Sequence, residues 1–89
     1  MVKKFTELEK TILMATFITA ENVVKYVRKD EILLKFPRRQ RKMIQLYFDR
    51  LVRDGYITKH PVGDKYRLTE KGLKMVKKLL TGGATLWRL

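Results

Sequence analysis

The sequence predicts a mainly α-helical domain carrying one small β-hairpin, with elements in the order α-β-α-α-β-β-α. Three observations lead there. Apolar residues recur at helical spacing over residues 7–18, 38–54 and 70–80. Between residues 56 and 68 the period falls to two around a glycine-bearing tip, Val62-Gly63-Asp64. Pro37 and Gly55 punctuate the chain on either side of the longest amphipathic stretch. At 89 residues the chain has material for one modest core and not two. A single domain over 1–81 is expected, followed by an apolar tail over 82–89.

Thr6-Glu7-Leu8-Glu9 matches the capping box, in which Thr6 accepts from the third backbone N–H and Glu9 reaches back. The helix it opens, to about Ile18, is apolar on two sides. Leu8, Ile12 and Ala15 make one stripe, and Leu13, Met14 and Phe17 make another. Such a helix is either buried all round or shared between the core and a partner. Because the chain is short, the expectation is a dimer. Thr19-Ala20-Glu21-Asn22 reads as a turn, and the β-branched, aromatic run Val23-Val24-Lys25-Tyr26-Val27 as a short strand. A helix over 20–29 is the competing reading.

Asp30 is placed to cap a short helix over 31–36, with Ile32 and either Leu33 or Leu34 turned inward. Pro37 breaks it at the threshold of the next helix, where a missing N–H costs nothing. That next helix, about 38–54, places Ile44, Phe48 and Leu51 in one narrow stripe, with Tyr47 and Val52 at its margins. Arg38, Arg39, Lys42, Gln45, Asp49 and Arg53 occupy the opposite side. A short helix, a tight break and a longer basic helix make a helix-turn-helix. Strands then follow over 56–61 and 65–68, with Ile57, Tyr66 and Leu68 inward and Lys65 and Arg67 outward. Thr69 caps a last helix over 70–80. Its Leu73, Val76 and Leu80 are expected to line the core, with Met75 and Leu79 as a second seam.

Charge narrows the function. Lys and Arg number 21 against 9 acidic residues, a net +12, and a pI near 10.2 draws the chain to polyanions. No apolar run approaches the ~20 residues of a membrane span. The basic start Met-Val-Lys-Lys is followed by Glu7, Glu9 and Lys10, so no export signal is read. With zero cysteines there is neither a disulfide staple nor a cysteine zinc site. A cytoplasmic location fits. The Lys-rich, Cys-free composition leans toward a thermophilic source. His60 stands alone among histidines, and the carboxylates are scattered. No phosphate-cradling glycine loop or nucleophile–base spacing is present. No catalytic residue, metal, cofactor or small-molecule substrate is therefore assigned.

Two local runs carry a resemblance. Leu51-Val52-Arg53-Asp54-Gly55-Tyr56-Ile57 resembles the exit from a recognition helix, and Tyr66-Arg67-Leu68-Thr69-Glu70-Lys71-Gly72 resembles the run joining wing to last helix. Together with the element order, they are similar to winged helix-turn-helix proteins of the MarR-like, PadR-like and small archaeal kinds. The likeness spans about residues 6–80. It implies double-stranded DNA binding by a small transcriptional regulator, with helix 38–54 in the major groove and the wing 59–67 on the adjacent backbone or minor groove.

On that reading Arg38, Arg39, Lys42 and, closer to the apolar side, Arg41 meet phosphate or guanine, and Gln45 suits adenine. Lys59, Lys65 and Arg67 supply the wing. For Leu46, anomalous on the exposed side, a thymine methyl and the second helix both remain open. The second seams, Leu13, Met14 and Phe17 with Met75 and Leu79, together with Leu86 and Trp87 of the tail, suggest a homodimer interface. The alternative is a winged-helix module that docks protein or RNA in a larger assembly.

Overall fold

A computed structural model of the chain describes residues 5–81. The tail 82–89, with the interface residues Leu86 and Trp87, lies outside the described residues, as do residues 1–4. The elements are α1 (Glu7–Thr19), β1 (Val27–Arg28), α2 (Lys29–Leu33), a 3-10 turn (Arg38–Gln40), α3 (Arg41–Arg53), β2 (Ile57–Lys59), β3 (Lys65–Leu68) and α4 (Glu70–Thr81). The strands form one antiparallel sheet in the order β1-β3-β2. A mainly helical chain with a small hairpin is thus observed, and the order of elements is the expected one.

α1 begins where the capping box places it. The Glu9 N–H donates to Thr6 Oγ1 (3.1 Å), and the Thr6 N–H donates to Glu9 Oε1 (3.0 Å). Its middle is enclosed on every side, with Ile12, Leu13, Met14, Ala15 and Thr16 all buried. The other elements wrap it, since α2, α3, α4 and β3 each touch α1. Leu13 and Met14 are therefore core residues of a single chain, not interface residues. The expectation failed because it underestimated how completely four short elements can surround one helix.

α1 ends without glycine. Glu21 (φ 59°) and Asn22 (φ 62°) both take left-handed backbone, and the Asn22 N–H donates to the Phe17 carbonyl (3.0 Å). This turn holds Val23 and Val24 away from the sheet, with the Val23 N–H donating to the Ala20 carbonyl (3.3 Å). The strand expected over 23–27 accordingly shrinks to Val27 and Arg28, paired with Tyr66 and Lys65. α2 starts two residues earlier than expected. Glu31 Oε1, not Asp30, serves its first turn by accepting from the Arg28 N–H (3.2 Å), while Asp30 pairs with Arg28 Nη2 (3.1 Å). Ile32 is buried, Leu33 half-buried and Leu34 exposed.

α3 follows its sequence pattern closely. Ile44, Phe48 and Leu51 are fully buried, with Tyr47 and Val52 packed against them. The Phe48 ring meets Tyr66 edge-on at 4.8 Å, which locks α3 to the sheet. Gly55, at φ +86°, ends the helix in backbone that side chains rarely adopt. The hairpin register pairs Ile57 with Leu68 and Lys59 with Tyr66, so Ile57, Tyr66 and Leu68 face the core as expected. β2 stops at Lys59, and the His60 N–H donates to the Lys65 carbonyl (2.8 Å) to close the loop.

In α4, Val76 is buried and Leu73 half-buried, but Leu80 is 45% exposed. The line of contact instead runs through Gly72, Met75, Val76 and Leu79. Gly72 presses on the Tyr56 carbonyl, where a Cβ would come within 2.1 Å. With Gly72 seated there, Leu79 packs on the core where Leu80 was expected, and the supposed second seam is part of the packing.

Candidate nucleic-acid interface

Pro37, in extended backbone (ψ 142°), leads the chain from α2 into the 3-10 turn of Arg38, Arg39 and Gln40, which continues directly into α3. Arg38, Arg39 and Lys42 are exposed. Their side chains make no hydrogen bond or ion pair among the described residues. The first turn of α3 contains no acidic residue. Unpaired backbone N–H groups make the start of a helix electropositive, so cations here add to a positive field instead of offsetting a negative one. Further along the same side lie Gln45, Leu46, Asp49, Arg50 and Arg53, all exposed. Lys42, Gln45, Leu46 and Asp49 line a shallow cleft.

Arg41 does not belong to this face. Its Nε donates to the carbonyls of Leu33 (3.1 Å) and Phe36 (3.2 Å), satisfying the open end of α2. Its place at the margin of the apolar stripe had hinted at this. Arg41 fixes the angle between α2 and α3, and is removed from the set of groups that present charge outward.

Asp49 would weaken a cationic face, but its charge is compensated. Lys29 Nζ lies 3.3 Å from Asp49 Oδ1, and that lysine is 9% exposed, over the rings of Phe48 (5.2 Å) and Tyr66 (5.7 Å). The backbone N–H of Lys29 donates to the Asp64 carbonyl in the hairpin loop (3.1 Å). One residue thus ties the exposed side of α3 to the hairpin. Sequence periodicity gave no sign of it, because the partners lie twenty and thirty-five residues away.

On the hairpin, Lys59 and Lys65 are exposed and their side chains carry no partner among the described residues. Arg67 differs from them. It is half-buried, its Nη1 donates weakly to the Leu68 carbonyl (3.5 Å), and its guanidinium lies 5.2 Å from the Tyr26 ring. The outward position expected for it holds, but its charge is turned onto the sheet. His60, the lone histidine, is half-buried. Its ring meets Tyr26 edge-on at 4.7 Å, and its Nδ1 accepts from the Val62 N–H (3.0 Å). The Tyr66 phenol is pushed above its ordinary value, first by burial and then by a hydrogen bond to the Asp64 carboxylate.

Of the expected interface residues, Phe17, Met75 and Leu79 are half-buried against the core. Phe17 also rims a cleft with Met14, Ile18, Asn22 and Leu80. No helix among the described residues is long and apolar enough to cross a membrane. Searches of the chain against protein-family models, curated proteins and solved structures return no match.

Proposed function

We propose that the protein is a winged helix-turn-helix module that binds double-stranded DNA, a small transcriptional regulator. It lays α3 in the major groove and rests the β2–β3 hairpin on the adjacent backbone or minor groove. One observation carries the reading. Arg38, Arg39 and Lys42 stand exposed at the electropositive start of a core-packed helix, with no carboxylate answering them among the described residues. Such an arrangement works against helix stability in isolation and becomes favourable when a polyanion is present. The helix is anchored by Phe48 and by Arg41, so its exposed side is offered rigidly. Lys59 and Lys65 give the hairpin two further phosphate contacts.

The test is an Arg39→Ala/Lys42→Ala double variant in duplex gel shifts over a salt series. Two lost phosphate contacts should reduce the log–log salt slope by about 1.8. A variant that binds duplex like its parent removes the proposal. Strong binding to structured RNA in place of duplex, or a co-purifying protein with no duplex binding, favours the docking alternative. A homodimer belongs to the same proposal, now only through the surface that Phe17, Met75 and Leu79 leave uncovered as they pack on the core, without Leu13 or Met14. Its half-sites would lie roughly 34–36 Å apart. Light scattering that gives the mass of one chain at working concentration contradicts that part.

A further inference from the structure

The exposed side of α3 carries two apolar residues that electrostatics does not explain, Met43 (55% exposed) and Leu46. Leu46 is 66% exposed, so it neither enters the core nor packs away against α2. It lies one helical turn beyond Lys42 and two beyond Arg39, and shares a shallow cleft with Lys42, Gln45 and Asp49. Leu46 is the more exposed of the two and the one that lines this cleft, and its apolar surface stays in water unless something covers it.

We propose that Leu46 reads sequence, packing against the C5-methyl group of a thymine in the major groove, with Gln45 beside it reading adenine. The inference rests on the duplex reading of α3 and adds to it the identity of the bases. Leu46 projects within about 40° of Lys42 around the helix, so it stands on the side that this reading lays into the groove. Among base edges in the major groove only thymine displays an apolar group, while the others display donors and acceptors that leucine would desolvate without replacing. Gln45 is exposed, and its amide has no partner among the described residues. That leaves a donor and an acceptor for adenine N7 and N6. Side chains at 45 and 46 project about 100° apart, which spreads them over neighbouring base pairs. Asp49, the nearest carboxylate, is held by Lys29 at 3.3 Å, so its charge does not bar the groove.

The experiment uses the full chain and the consensus duplex recovered by selection from random duplexes. Each thymine is replaced in turn by deoxyuridine, which removes one methyl group and no hydrogen bond. For the parent protein, one or two thymines per half-site should each lose about fourfold in affinity, the worth of one buried methyl. In Leu46→Ala that loss should vanish while the salt slope stays that of the parent. Leu46 is exposed, so the variant is expected to fold, which circular dichroism verifies. Salt-steep binding with equal affinity for every thymine and deoxyuridine duplex overturns the inference and leaves the duplex reading standing. So does a Leu46→Ala protein that keeps the discrimination, or a selection that returns no preferred sequence. Absence of salt-dependent duplex binding by the parent fails the duplex reading itself and this inference with it.

Discussion

Gly72 is where the packing of the domain is least forgiving, and Gly72→Ala tests it. A Cβ at this position would lie 2.1 Å from the Tyr56 carbonyl oxygen, 3.1 Å from its carbon and 3.3 Å from the Leu68 side chain. The oxygen is backbone and already accepts from the Thr69 N–H (3.1 Å), so it cannot swing aside. α4 would have to move outward by about 1 Å, a local overpacking of the kind that costs roughly 1–3 kcal/mol. Alanine would regain at most about 1 kcal/mol in helix propensity. Gly72 sits in the first turn of α4, where the gain falls short of the helix-interior figure, so the clash dominates. For a domain of this size each 1 kcal/mol shifts the melting temperature by about 4–8 °C. Thermal unfolding followed by circular dichroism should therefore show Tm several degrees below the parent. A Tm equal to or above the parent value would refute the account of how α4 docks.

Other outcomes follow from individual contacts. Thr6→Ala removes the side-chain acceptor of the α1 capping box and should cost about 1 kcal/mol, read as a lower midpoint in urea unfolding. Lys29→Met leaves the Asp49 charge unanswered on the proposed DNA face. Duplex binding should weaken several-fold, and adding Asp49→Asn should restore it; a double variant no better than Lys29→Met rejects the compensation. The Tyr66 phenol, raised by burial and by Asp64, favours the fold while it is protonated. Its contribution is complete below the ordinary value of about 10 and is lost as pH rises through the higher folded value. Stability should thus fall above pH ~10 in the parent. Tyr66→Phe should show a shallower fall in the same denaturant series.

Much of this structure was legible where period and local chemistry agree. The stripe of Ile44, Phe48 and Leu51 is buried as a group, the Thr6–Glu9 box forms, and the hairpin keeps its inward set. Legibility failed where long-range packing decides. Nothing local in Val23-Val24 says that left-handed Glu21 and Asn22 will hold them off the sheet. The two apolar sides of α1 signalled full enclosure as readily as an interface, and Leu13 and Met14 fell on the enclosed side. For the candidate site, the exposed cations Arg38, Arg39 and Lys42 could be read from helical spacing, since solvent exposure follows from it. Arg41 was legible only in its lean toward the apolar stripe and Arg67 not at all, because a carbonyl end and an aromatic ring elsewhere in the fold capture them. Lys29 was invisible for the same reason.

Salt dependence of duplex binding bears most directly on whether the open cationic side of α3 is a DNA surface. The five exposed cations of the proposed surface that have no side-chain partner among the described residues, Arg38, Arg39, Lys42, Lys59 and Lys65, would release counterions to give a slope of about −4.5 in log K against log salt. A slope near that value is the expected result. Binding that is absent, or indifferent to salt between 50 and 200 mM (roughly the range over which phosphate contacts weaken), would contradict it.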